Sequence, residues 1–184
     1  ADMPLEWYAE YGRREAQLDQ LSGRLTAVAG EPSEVVLEDL VPDAPYFYRV
    51  RYRQAGTAGA FDAGDTLTFH TPRLPGSTFT FAAQGDSHPE RANSMFDAEL
   101  YERTLTAVAA EHPDFYLTSG DDFSVDTLRT LSRQTVTERY TLQVPYLSIV
   151  GRASPLFLVN GNHEQAARYL LDGSPDNVAV WAQT

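Results

Sequence analysis

The sequence predicts two regions of different fold class, an all-β sandwich followed by an α/β domain with a parallel sheet. In the first region, aromatic or apolar side chains alternate with charged ones over residues 46–52, which is typical of a half-buried antiparallel strand. From residue 78 onward, short apolar runs alternate with segments of helical periodicity, which is typical of parallel strands joined by helices. The two patterns meet near residues 73–77.

The first region, residues 1–72, carries three further strand patterns, at residues 6–11, 34–37 and 66–70. Just before and within the alternating strand, Leu40, Pro42 and Tyr46 have a spacing that resembles the tyrosine corner of fibronectin type III domains and related sandwiches. A complete sandwich of this kind has about seven strands, and only four or five can be placed. We therefore expect a partial fibronectin type III-like β-sandwich, truncated at its N-terminus.

Residues 73–77 contain a proline and a glycine and no apolar period, so they are predicted to form a linker. In residues 78–184, the predicted strands are 78–83, 114–119 and 155–160. A helix is expected between the first two strands, and a second helix capped by Asp126 between the second and third. Pro145 is expected to start another helical piece.

Composition excludes several classes of function. The net charge is -12, with 14 basic residues, all arginine, against 26 acidic ones, so binding along duplex DNA is not expected. The absence of cysteine excludes thiol catalysis, thiolate zinc sites and disulfides. No apolar run approaches the roughly 18 residues that a membrane span requires.

Three motifs follow the three predicted strands of the second region. They are Gly85-Asp86-Ser87-His88, Gly120-Asp121-Asp122 and Gly161-Asn162-His163-Glu164. Strands joined through right-handed helical crossovers run parallel, so their carboxyl ends meet at one edge of the sheet. The sequence therefore predicts that carboxylate, imidazole and amide groups converge there.

Convergence of these groups predicts a metal site. Two carboxylates about 4 Å apart repel by roughly 4 kcal/mol at an effective dielectric of about 20, and one or two divalent cations remove this penalty. Oxygen and nitrogen donors suit manganese, iron and zinc without choosing sharply among them. Asp86 and His88 are candidate ligands, whereas Asp122 is expected to lie outside the first ligand shell or in solvent.

These motifs resemble the calcineurin-like metallophosphoesterase superfamily, whose pattern is Asp-x-His, then Gly-Asp, then Gly-Asn-His-Asp/Glu, then two later histidine motifs. The resemblance covers residues 78–184 and implies the N-terminal half of an α/β metallophosphoesterase sandwich. Together with the first region, the layout is similar to secreted bacterial phosphoesterases related to purple acid phosphatases. His88 departs from true purple acid phosphatases, which usually have glycine at this position.

The resemblance implies a role for each motif residue and two divalent metal ions as cofactors. Asp86 and His88 would bind one ion, Asp121 would bridge both, and Asn162 would bind the second. His163 would lie beside the leaving oxygen, oriented by Glu164. Two ions about 3.5 to 4 Å apart would activate a shared water and clamp the phosphoryl oxygens of a phosphoester substrate.

The later histidine motifs of the superfamily do not follow Glu164 in this sequence, so we expect a fragment with about half of the metal centre. Two functions remain open: a metal-dependent phosphoester hydrolase, or a non-catalytic binding or scaffold protein with a degenerate domain. Monoesterase and diesterase activity are both possible. The resemblance also implies an extracellular or periplasmic location, although no signal segment is present in the sequence.

Overall fold

The computed structural model describes residues 3–92 and 94–164. The chain divides into two compact units, Ala1–Thr78 and Phe79–Thr184. The finer prediction, with a fibronectin-like module over residues 1–72, a linker over 73–77 and a metallophosphoesterase domain over 78–184, stays a prediction.

The described part of the first unit contains six strands in one antiparallel sheet. The longest strands, β1 and β4, pair at its centre, where all of β1 lies beside residues 47–54 of β4. The short strands β2 and β3 pair with the outer edge of β1, and β5 and β6 pair with the outer edge of β4. The strands are β1 Leu5–Gly12, β2 Gln20–Leu21, β3 Leu25–Ala27, β4 Pro45–Gln54, β5 Asp62–Ala63 and β6 Leu67–His70.

The predicted fibronectin type III-like sandwich is not confirmed. A sandwich needs two sheets, and the six strands in the described part of this unit form only one. Residues 34–37 were expected to be a strand but have no regular structure. The predicted corner is nevertheless formed locally: Tyr46 is buried, and its hydroxyl accepts a hydrogen bond of 3.0 Å from the Val41 N–H.

The second unit has the predicted alternation of strands and helices. The three strands in its described part run parallel in the order β7-β8-β9, so the predicted parallel sheet is confirmed. A single 3₁₀ turn, Pro89–Arg91, follows the first strand. The other elements are β7 Phe81–Gln84, α1 Ala98–Ala110, β8 Phe115–Thr118, α2 Arg133–Gly151 and β9 Leu156–Leu158.

The helices α1 and α2 pack on one face of the parallel sheet. Tyr101 and Leu105 of α1 meet Leu147 and Val150 of α2 over the buried ring of Tyr116 in β8. This arrangement follows from two right-handed crossovers that step across the sheet in the same direction. The opposite face carries a row of aromatic rings: Phe79 and Phe81 stack on Phe115, and Phe157 meets Phe115 edge to face.

The second helix differs from the prediction at its start and in its interior. Ser132, not Asp126, caps it: the Ser132 hydroxyl accepts from the Thr135 N–H, and the Thr135 hydroxyl accepts from the Ser132 N–H. The helix also continues through Pro145 instead of starting there. A proline inside a helix costs about 3 kcal/mol, but the buried residues after Pro145 keep the helix in place through tertiary packing.

No helix in residues 3–92 and 94–164 combines the length and the apolar character needed to cross a membrane.

Candidate metal centre

The three motifs lie in three loops that contact one another through their backbones. The Asp86 N–H, in the first loop, donates to the Gly120 carbonyl at 3.0 Å, and the His88 N–H donates to the Asp122 carbonyl at 3.2 Å. The second loop meets the third where the Val125 N–H donates to the His163 carbonyl at 3.0 Å. The carboxyl edge of the sheet therefore brings all three loops together, as the parallel strand order predicts.

The glycines of the second and third motifs permit this close approach. A Cβ atom on Gly120 would lie 2.5 Å from the Gly161 Cα, and one on Gly161 would lie 2.5 Å from the Asp121 nitrogen. Gly120 also has a φ of 96°, which side chains disfavour. Glycine at these positions is thus required for the second and third loops to touch.

Glu164 joins the second loop to the third. Its side chain is buried, with a residue exposure of 2%. One carboxylate oxygen accepts from the Asp121 N–H at 2.9 Å and the Gly161 N–H at 2.8 Å. The other accepts from the Asp122 N–H at 2.5 Å and the Phe123 N–H at 3.2 Å. Four backbone donors therefore converge on one carboxylate, which fixes the position of Asp121.

These contacts place the Glu164 carboxylate on backbone N–H groups, and its role beside His163 stays a prediction. The resemblance implied that Glu164 orients the His163 ring. The ring nitrogen Nδ1 of His163 lies 2.9 Å from Oδ2 of Asp126. The partner of the ring is thus the residue that was expected to cap α2. The position of Asp126 in the sequence does not indicate that it contacts His163, because the contact depends on how the second loop folds back.

Asp86 and His88 face each other at the first loop. The Asp86 side chain is 81% exposed and the His88 side chain 7% exposed, and 4.0 Å separate Asp86 Oδ1 from His88 Nε2. Metal bonds to nitrogen and oxygen are each about 2.0 to 2.2 Å long. The two atoms are therefore within reach of one ion placed between them.

Asp121 and the third motif complete the predicted ligand set. Oδ1 of Asp121 accepts a hydrogen bond of 2.8 Å from the His163 N–H. The His163 and His88 rings stand edge to face, with centroids 5.2 Å apart. Asn162 is exposed at the turn before His163. The structure thus brings the backbone segments of all six predicted site residues to one edge.

Three of the predicted ligands share an unusual backbone conformation. Asp86, His88 and Asp121 have φ values of 58°, 47° and 56°. Aspartate and histidine reach this left-handed region more readily than most residues, yet it is sparsely populated. Such conformations cluster at functional sites, where the surrounding structure holds them in place.

Asp122 is buried, so it is not the solvated carboxylate that was one of the two expectations; its place outside the first ligand shell stays a prediction. Its carboxylate accepts from the Ser87 hydroxyl at 3.2 Å, and Gln143 donates to that hydroxyl at 2.6 Å. Burial raises the pKa of the Asp122 carboxyl above its usual value, and the Glu164 charge raises this pKa further.

Sequence reasoning missed Glu90 and Ser124. Glu90 lies on the 3₁₀ turn after His88, and its Oε1 is 3.0 Å from Nδ1 of His88. The Ser124 N–H donates to the same oxygen at 2.9 Å. Burial alone would raise the pKa of Glu90, but hydrogen bonds from its own backbone, Ser124 and His88 hold this pKa below its usual value.

The donors fit a divalent ion in type but only in part by their positions. Asp86 and His88 form a pair of the required kind. However, within residues 3–92 and 94–164, no three or more His, Cys, Asp or Glu side chains are grouped closely enough to hold a metal. Asn162, which could bind a metal through its amide oxygen, is not one of these four residue types.

The comparisons support the fold. No protein-family model matches the sequence, and no curated protein is significantly similar to it. Among solved structures, the chain is similar to purple acid phosphatase PPD1 from yellow lupin (Lupinus luteus) seeds, with a TM-score of 0.56 and 15% sequence identity. The match covers 88% of this chain and 31% of the phosphatase chain. At this identity the likeness shows an α/β fold similar to that of the phosphatase.

Proposed function

We propose that this chain carries the metal-binding edge of a metal-dependent phosphoester hydrolase. The observation that supports this proposal most strongly is the convergence of three loops at the carboxyl end of β7, β8 and β9, with Asp86, His88 and Asp121 in left-handed conformations. The fold likeness to a purple acid phosphatase supports the same class of reaction.

Asp86, His88, Asp121 and Asn162 would hold the metal. Their oxygen and nitrogen atoms suit manganese, iron or zinc, and the superfamily resemblance favours two ions. When bound, such ions would polarise the phosphoryl oxygens and lower the pKa of a bound water. Asp121 could contribute a carboxylate to either ion, because a carboxylate has two oxygens. Its backbone is held in place by the hydrogen bond from its own N–H to Glu164.

His163 would act on the leaving group. Its Nδ1 is paired with Asp126, so Nε2 is the nitrogen available to a substrate. This pairing would direct Nε2 toward the departing oxygen, where it could donate a hydrogen bond or a proton. Asp126 would therefore orient His163, the role first expected for Glu164.

The charge of the site accounts for the need for cations. Asp86, Asp121 and Asp122 lie on adjoining loops, and an anionic phosphoester would be repelled by them. Arg91, on the 3₁₀ turn after the first loop, donates to the Ser124 hydroxyl at 2.8 Å. Bound divalent ions reverse the local field and make an anionic substrate acceptable.

Removing Asp121 should abolish metal-dependent hydrolysis. We expect only low turnover of p-nitrophenyl phosphate or bis(p-nitrophenyl) phosphate by this chain with added manganese, iron or zinc, because it carries part of the superfamily's ligand set, and none after chelation. Asp121→Ala should reduce turnover to background. Glu102→Ala, an exposed change in α1, is the matched control and should leave turnover unchanged. Equal turnover by the Asp121→Ala variant, or turnover that survives chelation, would contradict the proposal.

A non-catalytic metal-binding or scaffold protein is the second candidate. It is favoured by the lack of a group of three metal-ligating side chains within the described residues. Metal binding without turnover of either ester would support it. The relative rates on the two esters would separate monoesterase from diesterase activity. Export of the expressed protein from the cytoplasm would support the proposed extracellular or periplasmic location.

A further inference from the structure

Glu90 occupies a position next to His88 that the predicted metal centre does not use. Its side chain is 4% exposed, and its Oε1 lies 3.0 Å from Nδ1 of His88. Pro89 begins the 3₁₀ turn, and its ring fixes the backbone φ at the point where the chain bends back. The turn therefore presents Glu90 to the ring of the residue two positions before it.

Two neighbours hold the Glu90 carboxylate in this position. The Ser124 N–H donates to Oε1 at 2.9 Å, and Nε of Arg91 is 3.6 Å from the same oxygen. The Ser124 hydroxyl is fully buried, accepts from Arg91 and lies 3.2 Å from Nδ1 of His88. The carboxylate is thus fixed by both the first and the second loop.

These contacts determine which nitrogen of His88 carries a proton. An ionised carboxylate only accepts hydrogen bonds, so Nδ1 must donate to Glu90. The other nitrogen, Nε2, then points toward Asp86 Oδ1 at 4.0 Å. A neutral ring in this form has its lone pair on Nε2, on the side where the candidate metal ligands lie.

We propose that Glu90 is a positioning residue that holds the His88 ring with Nδ1 protonated and Nε2 free to bind a metal. A carboxylate behind a metal-binding histidine fixes the tautomer and ring orientation and makes the ligating nitrogen more basic. The proposal deepens the proposed function and rests on it for the identity of the metal site. The tautomer itself does not depend on any reaction.

The other oxygen of Glu90 strengthens the case for more than a packing role. Glu90 Oε2 is buried and has no hydrogen-bond partner in the part of the chain that the structure describes. Burying a charge with one oxygen unsatisfied is unfavourable. The hydrogen bond between Glu90 and His88 offsets part of this cost, and it also orients the His88 ring.

The first test uses the intact, metal-free chain. Two-bond proton–nitrogen correlation spectra of the histidine rings should show His88 with Nδ1 protonated and Nε2 bare, about two pH units above the usual imidazole pKa of about 6.5. The chain has four histidines, so the His88→Asn variant assigns the signal. A His88 ring with its proton on Nε2 would overturn the proposal without any variant of Glu90.

The second test measures zinc and manganese affinity by calorimetric titration. Glu90→Ala should weaken binding about 10- to 100-fold and remove the tautomer preference. Glu90→Gln keeps an acceptor oxygen and should restore the tautomer and part of the affinity. Glu102→Ala, an exposed change in α1, is the matched control and should bind as the unaltered chain does.

The outcomes separate this inference from the proposed function. If the unaltered chain binds neither metal, the proposed metal site is wrong, whatever the tautomer. If it binds metal and Glu90→Ala binds equally well with the same tautomer, the role of Glu90 is wrong and the site stands. Glu90→Met fills a similar volume without an acceptor oxygen, so recovery with Glu90→Gln but not with Glu90→Met is expected; equal recovery with both would show that Glu90 only fills space.

Discussion

Replacing Glu164 with glutamine should lower the free energy of unfolding of the second unit by about 3 kcal/mol. Two backbone donors would then face an NH₂ group instead of an oxygen, and the remaining two would lose a charged acceptor. Each buried donor left without a partner costs about 1–3 kcal/mol. In thermal unfolding, the midpoint should fall by roughly 10 °C for a chain of this size.

Local hydrogen exchange gives the sharper test of Glu164. The amides of Asp121, Asp122 and Phe123 donate to its carboxylate, so they should exchange much faster in Glu164→Gln. Glu138→Gln is the matched control: Glu138 is exposed and accepts one hydrogen bond from Gln134, so its change should stay within about 0.5 kcal/mol. Unaltered protection of the three amides would show that Glu164 does not join the loops.

Replacing Gly120 with alanine should also destabilise the second unit by about 3 kcal/mol. The added methyl would overlap the backbone of Gly161, and overpacking of this kind typically costs about 1–3 kcal/mol. The positive φ adds roughly 1–2 kcal/mol for a residue with a side chain. Because the neighbour is backbone, it cannot rotate away, so the second and third loops would separate.

Gly76→Ala isolates the cost of the backbone conformation. Gly76 has a φ of 88°, close to the 96° of Gly120, but an added Cβ there would meet nothing within 4 Å. Its substitution should therefore cost only the roughly 1–2 kcal/mol of the positive φ. Chemical denaturation of both variants gives the comparison. Equal decreases in the free energy of unfolding would mean that the contact between the second and third loops does not contribute to stability.

Much of the second unit could be predicted because its sequence pattern is local. Apolar runs define β7, β8 and β9, and the crossover rule then places the residues that follow them at one edge. The glycines in the motifs have a physical explanation that the sequence alone did not supply: Gly120 and Gly161 are needed where two backbones touch.

The errors arose where tertiary contacts override local preference. Pro145 normally ends or starts a helix, but α2 continues through it because Leu147 and Val150 pack into the core. Leu128 and Leu131 were assigned to a helix, and they instead pack beside Phe123 in the segment before α2. In the first unit, a strand alternation cannot tell one sheet from two, because both need the same pattern.

The site was predicted as a set of residue types but not as a set of contacts. Asp86, His88, Asp121, Asn162, His163 and Glu164 all lie at the predicted edge. The partners of the two histidines, Glu90 and Asp126, could not be inferred, because they depend on the bend of each loop. No sequence motif marks residues that bind a histidine ring in this way.

The three motif loops are proposed to converge on one divalent metal site. Manganese titration followed by paramagnetic broadening of backbone amide signals tests this proposal most directly, because broadening depends on distance from the bound ion. Below one equivalent of manganese, the amides of Asp86, Asp121 and Asn162 should broaden together, ahead of those beside the exposed acidic residues of the first unit. Broadening confined to one loop, or spread evenly over acidic surface residues in both units, would contradict the account.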